Sequence, residues 1–264
     1  MKSLQSINFK NKKALIRVDF NVPLNAQFQV TDSTRIVSAK PTIMKVLEDG
    51  GSCVLMSHLG RPESKESAFS LKHIVRTLET VLGVEVLFSS SCIGEEAQKF
   101  CDNLKPGQIL LLENLRYHSD ETRGSENFAK ELSKLGDFYI NDAFGTAHRA
   151  HASTTIIAKF FPENRCFGSL LAQEIESIDK VMQTGEKPVL AILGGAKVSS
   201  KITIIDNILN KVDHLIIGGG MTFTFVKAQG GSVGDSICED DKMELALQIL
   251  ERAKAKKVQV HIPV

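Results

Sequence analysis

Four short apolar runs in the first 140 residues of the chain each empty into a polar turn. Ala14-Leu15-Ile16-Arg17-Val18 ends in Asp19-Phe20-Asn21, and Cys53-Val54-Leu55-Met56 ends in Ser57-His58-Leu59-Gly60-Arg61-Pro62. Ile109–Leu112 ends in Glu113-Asn114-Leu115-Arg116, and Phe138-Tyr139-Ile140 ends in the stretch from Asn141 to Ser153 that holds Asp142, His148, Arg149 and His151. A fifth run covers 84–88. Runs this short are strands, and the segments between them carry helical spacing: Leu71, Ile74, Val75, Leu78, Val81 and Leu82 line one face. Further helices are expected from Arg35 toward Leu47, over 94–104 and over 125–135. Pro41 lies inside the first of these, so that helix either kinks or restarts there. Strand and helix in alternation predict an α/β fold with a mostly parallel sheet. Strands apolar without alternation predict helices over both of its faces.

After an irregular apolar part, 156–168, a long helix is expected over about 170–183, and a second α/β series opens at Lys187-Pro188-Val189. It has strands at 189–193 and 215–217, a helix over about 240–256 and a last strand from Val258. The expected organisation is a first domain over 1–169, a connecting helix or hinge over 170–184 and a second domain over 185–264. So few strands make the second domain small for a sheet needing cover on both faces, and the chain is expected to be part of a longer protein.

A chain of 264 residues with 42% hydrophobic and 24% charged residues fits a soluble globular protein. Its formal net charge of +1 supplies no global field for nucleic acid or an anionic membrane. Five scattered cysteines without C-x-x-C spacing favour reduced thiols over a disulfide framework or zinc site. The N-terminus lacks the apolar core of a signal peptide, and no run is long enough to span a membrane. The expected location is the cytoplasm.

Parallel strands bring their C-terminal ends to one edge, where open α/β sheets bind ligands. That edge would gather Asp19, Asn21, Arg35, His58, Arg61, Arg116 and Arg149, a concentration of guanidinium suited to phosphate or carboxylate. The competing reading has these arginines spent in ion pairs with Glu113, Asp142 and other acids. In the second domain, Leu193-Gly194-Gly195-Ala196-Lys197-Val198-Ser199-Ser200-Lys201 reads as strand, glycine turn and helix start, with Lys197 and Lys201 on one side of the first helical turns. Gly218-Gly219-Gly220-Met221 repeats the device one strand later. Neither matches a Walker A or a dinucleotide fingerprint; together they point to nucleotide phosphates.

Taken in order, Arg17-Val18-Asp19-Phe20-Asn21-Val22-Pro23, Thr34-Arg35-Ile36, Ser57-His58-Leu59-Gly60-Arg61-Pro62, Glu113-Asn114-Leu115-Arg116, Asn141-Asp142-Ala143-Phe144-Gly145-Thr146-Ala147-His148-Arg149 and Leu193-Gly194-Gly195-Ala196-Lys197-Val198 resemble the phosphoglycerate kinase family over essentially the whole chain. The resemblance implies two Rossmann-like domains across a cleft, the second incomplete here. It also implies a glycolytic phosphotransferase, moving phosphoryl reversibly from 1,3-bisphosphoglycerate to MgADP to give 3-phosphoglycerate and MgATP. By resemblance the substrate contacts are Asp19, Phe20, Asn21, Arg35, His58, Leu59, Gly60, Arg61, Arg116 and Arg149. The catalytic pair is Arg35 and Lys197. The nucleotide contacts are Gly194, Gly195, Lys197, Lys201, Gly219 and Gly220. Mg2+ arrives with the nucleotide, its protein ligand expected beyond residue 264, and the protein is expected to be a monomer. Two alternatives stay open: a fragment that binds phosphoglycerate without transfer, and a phosphosugar isomerase using His58, His148 or His151 as base, although the sequence offers these no evident carboxylate partner.

Overall fold

The apolar runs of the first 140 residues are strands whose side chains alternate between two buried faces. The computed structural model describes residues 3–263. Its first compact unit, Met1–Ile175, runs β1 (Lys13–Val18), α1 (Thr34–Glu48), β2 (Ser52–Met56), α2 (Val75–Leu82), β3 (Val86–Ser89), α3 (Glu95–Asn103), β4 (Ile109–Leu112), α4 (Ser119–Arg123), α5 (Glu126–Ser133), β5 (Phe138–Asp142) and β6 (Arg165–Phe167) into α6 (Ser169–Thr184). The six strands form one sheet in the order β3-β4-β2-β1-β5-β6, every pair parallel.

Ala14, Ile16, Val18, Cys53, Leu55 and Ile140 pack with Ile36 and Ile43 of α1 and Leu78 of α2. Leu15, Val54, Met56, Leu110 and Leu112 face the other way, onto Ala97 of α3 and Phe128 and Leu132 of α5. Each fully buried Leu, Ile or Val stabilises by roughly 1.5–3 kcal/mol relative to exposure, which is why a doubly covered strand shows no polar alternation.

Three local outcomes refine the sequence reading. α1 runs unbroken through Pro41; the proline lacks the N–H that would bond Val37, and Val37 sits on the exposed side at 49%, where water can serve its carbonyl. The helix expected over 71–82 opens as a 3-10 turn, Leu71–Ile74, before α2. The irregular stretch over 156–168 holds a 3-10 turn, Ile156–Phe160, and the edge strand β6, too short for any period to show in sequence.

The second unit, Glu176–Val264, contains β7 (Leu190–Gly194), α7 (Ile202–Ile208), β8 (His214–Gly218), α8 (Met221–Ala228), α9 (Met243–Ala255) and β9 (Gln259–His261). Its three strands are parallel in the order β7-β8-β9. Leu215 and Ile217 pack with Ile205 of α7, Met221 and Phe225 of α8 and Ile249 of α9. The opposite face is open: Leu190 is 52% and Ile192 68% exposed. The division between the units falls inside α6. No helix among the described residues is long and apolar enough to cross a membrane. Cys53, Cys92, Cys101 and Cys166 are buried free thiols, and Cys238 is a partly exposed one.

Candidate functional site

The four strands with polar C-terminal turns are the four consecutive inner strands of the first sheet, β4-β2-β1-β5. Parallel pairing therefore sets their turns side by side, and a cavity of about 330 Å³ opens there. It is lined by Asp19 and Asn21 after β1, Arg35 at the start of α1, His58, Gly60 and Arg61 after β2, Arg116 after β4, and Gly145, Thr146 and Arg149 after β5. Eight of the ten predicted substrate residues meet there. Phe20 is fully buried in the core and Leu59 is 4% exposed; neither lines this cavity, and Leu59 faces a neighbouring one with Phe28 and Phe69.

The local geometry is held by backbone bonds that the motifs supply. Asn21 Oδ1 accepts from Gly60 N–H at 2.8 Å, and Arg116 Nη1 donates to the Gly60 carbonyl at 2.6 Å. Gly60 takes a left-handed φ of +63°, and a Cβ there would run into the Phe69 ring, so only glycine fits. Asn114 is fully buried and brackets the turns: its Nδ2 donates to the carbonyls of Leu59 and Phe69, both at 2.8 Å.

The acids expected to neutralise the arginines serve other purposes. Glu113 accepts from Leu71 N–H at 2.9 Å, Asn114 N–H at 2.8 Å and Ser70 Oγ at 2.7 Å, capping the 3-10 turn before α2. Asp142 is fully buried, accepts from Leu171 N–H at 3.1 Å in the first turn of α6, and is held above the usual carboxylate range by that burial. The ion-pair reading therefore fails for both. Among the described residues, Arg35 is the one cavity arginine with a carboxylate partner, Asp19 Oδ2 at 2.5 Å. Arg116 is depressed from its ordinary value, first by burial and then by its neighbours Arg149, Arg17 and Arg61.

Linked to His58 are three buried residues to which the sequence reading assigned no site role: Arg17, 1% exposed, Glu121, 1% exposed, and the fully buried Ser153. The one sequence signal was Arg17 itself, a charge inside an otherwise apolar strand. His58, 3% exposed, is pushed down to about 2 by burial and then by Arg17, Arg116 and Arg35. The histidines do have carboxylates close by: Asp19 Oδ1 is 4.0 Å from His58 and Glu121 Oε1 is 3.8 Å from His151. His151 is nevertheless lowered, burial outweighing Glu121.

In the second unit the two glycine turns lie against each other. A Cβ on Gly219, whose φ is +72°, would come within 3.0 Å of Gly195 N and O, and Met221 N–H donates to the Gly195 carbonyl at 2.8 Å. Gly220 approaches Ala196, and the Lys201 side chain passes over Gly195; Gly194 ends β7. The helix expected from Lys197 begins later: α7 opens at Ile202 with Lys201 as its N-cap. The intervening loop winds around the fully buried Val198, while Glu239 accepts from Ser199 N–H at 3.1 Å and Oγ at 2.6 Å. Lys197 and Lys201 thus stand on a loop rather than on one helical face. Among the described residues no group of three or more His, Cys, Asp and Glu is arranged to hold a metal ion.

The family profile of phosphoglycerate kinase matches residues 4–264. The chain belongs to the phosphoglycerate kinase family. Relatives bearing that name include proteins of Porphyromonas gingivalis, 46% identical with 99% of this chain and 68% of the relative covered, and Chlorobium chlorochromatii, 48% identical with 99% and 66% covered. The phosphoglycerate kinase structure of Coxiella burnetii matches at a TM-score of 0.81 and 39% identity, covering all of this chain and 66% of that one. That of Pyrococcus horikoshii matches at 0.84 and 28% identity, covering all of this chain and 67% of that one. The chain thus spans about two thirds of the length of the phosphoglycerate kinases it matches.

Proposed function

We propose that the cavity of the first unit binds 3-phosphoglycerate or 1,3-bisphosphoglycerate, and that the chain serves reversible phosphoryl transfer between 1,3-bisphosphoglycerate and MgADP. The observation that carries this reading is a cavity with four guanidiniums and, among the described residues, one carboxylate partner between them. Such an arrangement favours a small polyanion, and planar guanidinium groups suit both phosphate and carboxylate. In this reading Asp19 and Asn21 receive the hydroxyl and carboxyl end, and Arg61, Arg116 and Arg149 take the phosphate beside His58. The paired glycine turns with Lys197 and Lys201 take the nucleotide phosphates, and Mg2+ enters with the nucleotide. A monomer in the cytoplasm fits the same reading.

The chemistry asks little of a base. In the direction of ATP formation the bond between the acyl oxygen and phosphorus breaks as a terminal phosphate oxygen of ADP closes on phosphorus, and the departing carboxylate needs no proton. Rate then depends on alignment and on neutralising charge over the moving phosphoryl oxygens. Arg35 from the first unit and Lys197 from the second are the proposed charge-stabilising pair, with residues 170–184 as the hinge.

Isothermal calorimetry of the chain with 3-phosphoglycerate and with MgADP, alongside a coupled assay for ATP, tests the proposal. Heat from both ligands and ATP formation are expected of a competent enzyme. Binding of 3-phosphoglycerate alone, without ATP, would identify a phosphoglycerate-binding part of a longer enzyme, as the two-thirds coverage of its relatives allows. No binding of 3-phosphoglycerate would end the reading.

A further inference from the structure

Arg17 is a buried cation that makes no direct contact with a carboxylate among the described residues. Its Nε donates to Ser153 Oγ at 2.8 Å, its Nη1 donates to the Val18 carbonyl, and its Nη2 lies 3.2 Å from His58 Nδ1. Ser153 passes the contact on: its Oγ donates to Glu121 Oε1 at 2.6 Å and its N–H donates to Glu121 Oε2 at 3.0 Å. The Ser153 carbonyl is pinned by Tyr139 Oη at 2.7 Å. A buried carboxylate and a buried guanidinium are thus joined through one hydroxyl, which offsets two charges that would each be costly alone.

A guanidinium has donors only. The contact to His58 Nδ1 therefore requires that nitrogen to accept, and a neutral ring that accepts at Nδ1 carries its proton on Nε2. The 4.0 Å approach of Asp19 Oδ1 to the same nitrogen is then not an ion pair. We propose that Glu121 is a positioning residue which, through Ser153 and Arg17, locks His58 as the neutral tautomer protonated at Nε2, leaving that N–H as a fixed donor for the cavity His58 lines. The other charged groups around the ring act in the same direction: Arg116, Arg35 and His151 all oppose a second proton. The nearby carboxylate, Asp19, is engaged through its other oxygen by Arg35 at 2.5 Å. A neutral donor keeps one contact to a bound oxyanion constant across pH, where an imidazolium would come and go.

The link to substrate rests on the phosphoglycerate reading, whereas the tautomer does not, so the two are measured separately. Long-range 15N–1H correlation spectra of the ligand-free chain, with His58→Gln to assign the signal, should show Nε2 protonated, Nδ1 bare and no titration between about pH 5.5 and 8. In Glu121→Gln the anchor of Arg17 is lost and Asp19 captures the ring. Nδ1 then takes a proton and the ring titrates inside that window, while Glu121→Asp retains the wild-type pattern. Ser153→Ala breaks the same bridge with a smaller change and gives the same shift should Glu121→Gln not fold. Affinity for 3-phosphoglycerate should fall roughly tenfold in either bridge variant, the loss expected when one charge-assisted contact is displaced. A wild-type ring protonated at Nδ1, or folded variants that keep the wild-type tautomer, would overturn the proposal. The expected tautomer without heat from 3-phosphoglycerate would instead leave the proposal standing and remove the phosphoglycerate reading.

Discussion

Gly60 meets two constraints at a single Cα. Its φ is +63° and the Phe69 ring stands where a side chain would begin, while its N–H and carbonyl hold Asn21 and Arg116. Gly60→Ala is expected to cost about 1–3 kcal/mol in urea unfolding, the left-handed conformation and the ring contact acting together. The same variant should weaken 3-phosphoglycerate in calorimetry by displacing Arg116. His58 sets a pH dependence. Its folded value is pushed down to about 2 from 6.5 by burial first and positive neighbours second, so the folded state binds fewer protons than the unfolded one. Its stabilising contribution is complete above pH 6.5 and is lost as pH falls. The wild type should lose about 1.4 kcal/mol per pH unit below 6.5 relative to His58→Gln, measured by urea unfolding at pH 7 and at pH 5.5; parallel losses would refute the burial of a neutral ring. Motif order made Gly60 and His58 legible as site residues. That Gly60 faces the Phe69 ring and His58 the Arg17 guanidinium was not, because neither partner lies in the same motif and only tertiary packing brings them together.

At the scale of elements, one carboxylate ties β4 to the turn before α2. Glu113→Ala leaves the N–H groups of Leu71 and Asn114 without their acceptor, and should destabilise the first unit by about 2–4 kcal/mol in chemical denaturation. Glu113→Gln keeps one acceptor oxygen and should cost less. A salt-bridge role for Glu113 would instead make its removal depend strongly on ionic strength, which the geometry does not support. The second sheet is one-sided. Ile217 is fully buried whereas Ile192 is 68% exposed, so Ile217→Ala should cost about 2–5 kcal/mol and Ile192→Thr about 0.5 kcal/mol or less. Equal losses would mean that Ile192 is covered in solution. β4, four apolar residues between turns, was readable from its sequence; β6, with three residues at an edge, carried too little periodicity. The loop from Gly195 to Lys201 looked helical because glycine turns often open helices, and the burial of Val198 decided otherwise.

For the whole molecule the distribution of charge matters more than its sum. A formal net charge of +1 coexists with a cavity lined by four arginines, in which Arg116 is depressed first by burial and then by Arg149, Arg17 and Arg61. Binding of 3-phosphoglycerate should therefore weaken roughly tenfold as salt rises from low to several tenths molar, as short-range attraction is screened. A salt-independent affinity in calorimetry would assign the binding to neutral contacts. By itself the sequence determined the alternation of strand and helix, the parallel sheet and the identity of the polar residues at strand ends, because these depend on local period and on the obligatory geometry of parallel crossovers. It also determined the family, through motifs kept in order. Only the tertiary structure decided which acids face which bases. Arg17 and Ser153 are 136 residues apart, and Ser153 lies 32 from Glu121. Sheet order and loop packing alone bring such partners together, and no local pattern in a chain encodes a hydrogen bond across that distance.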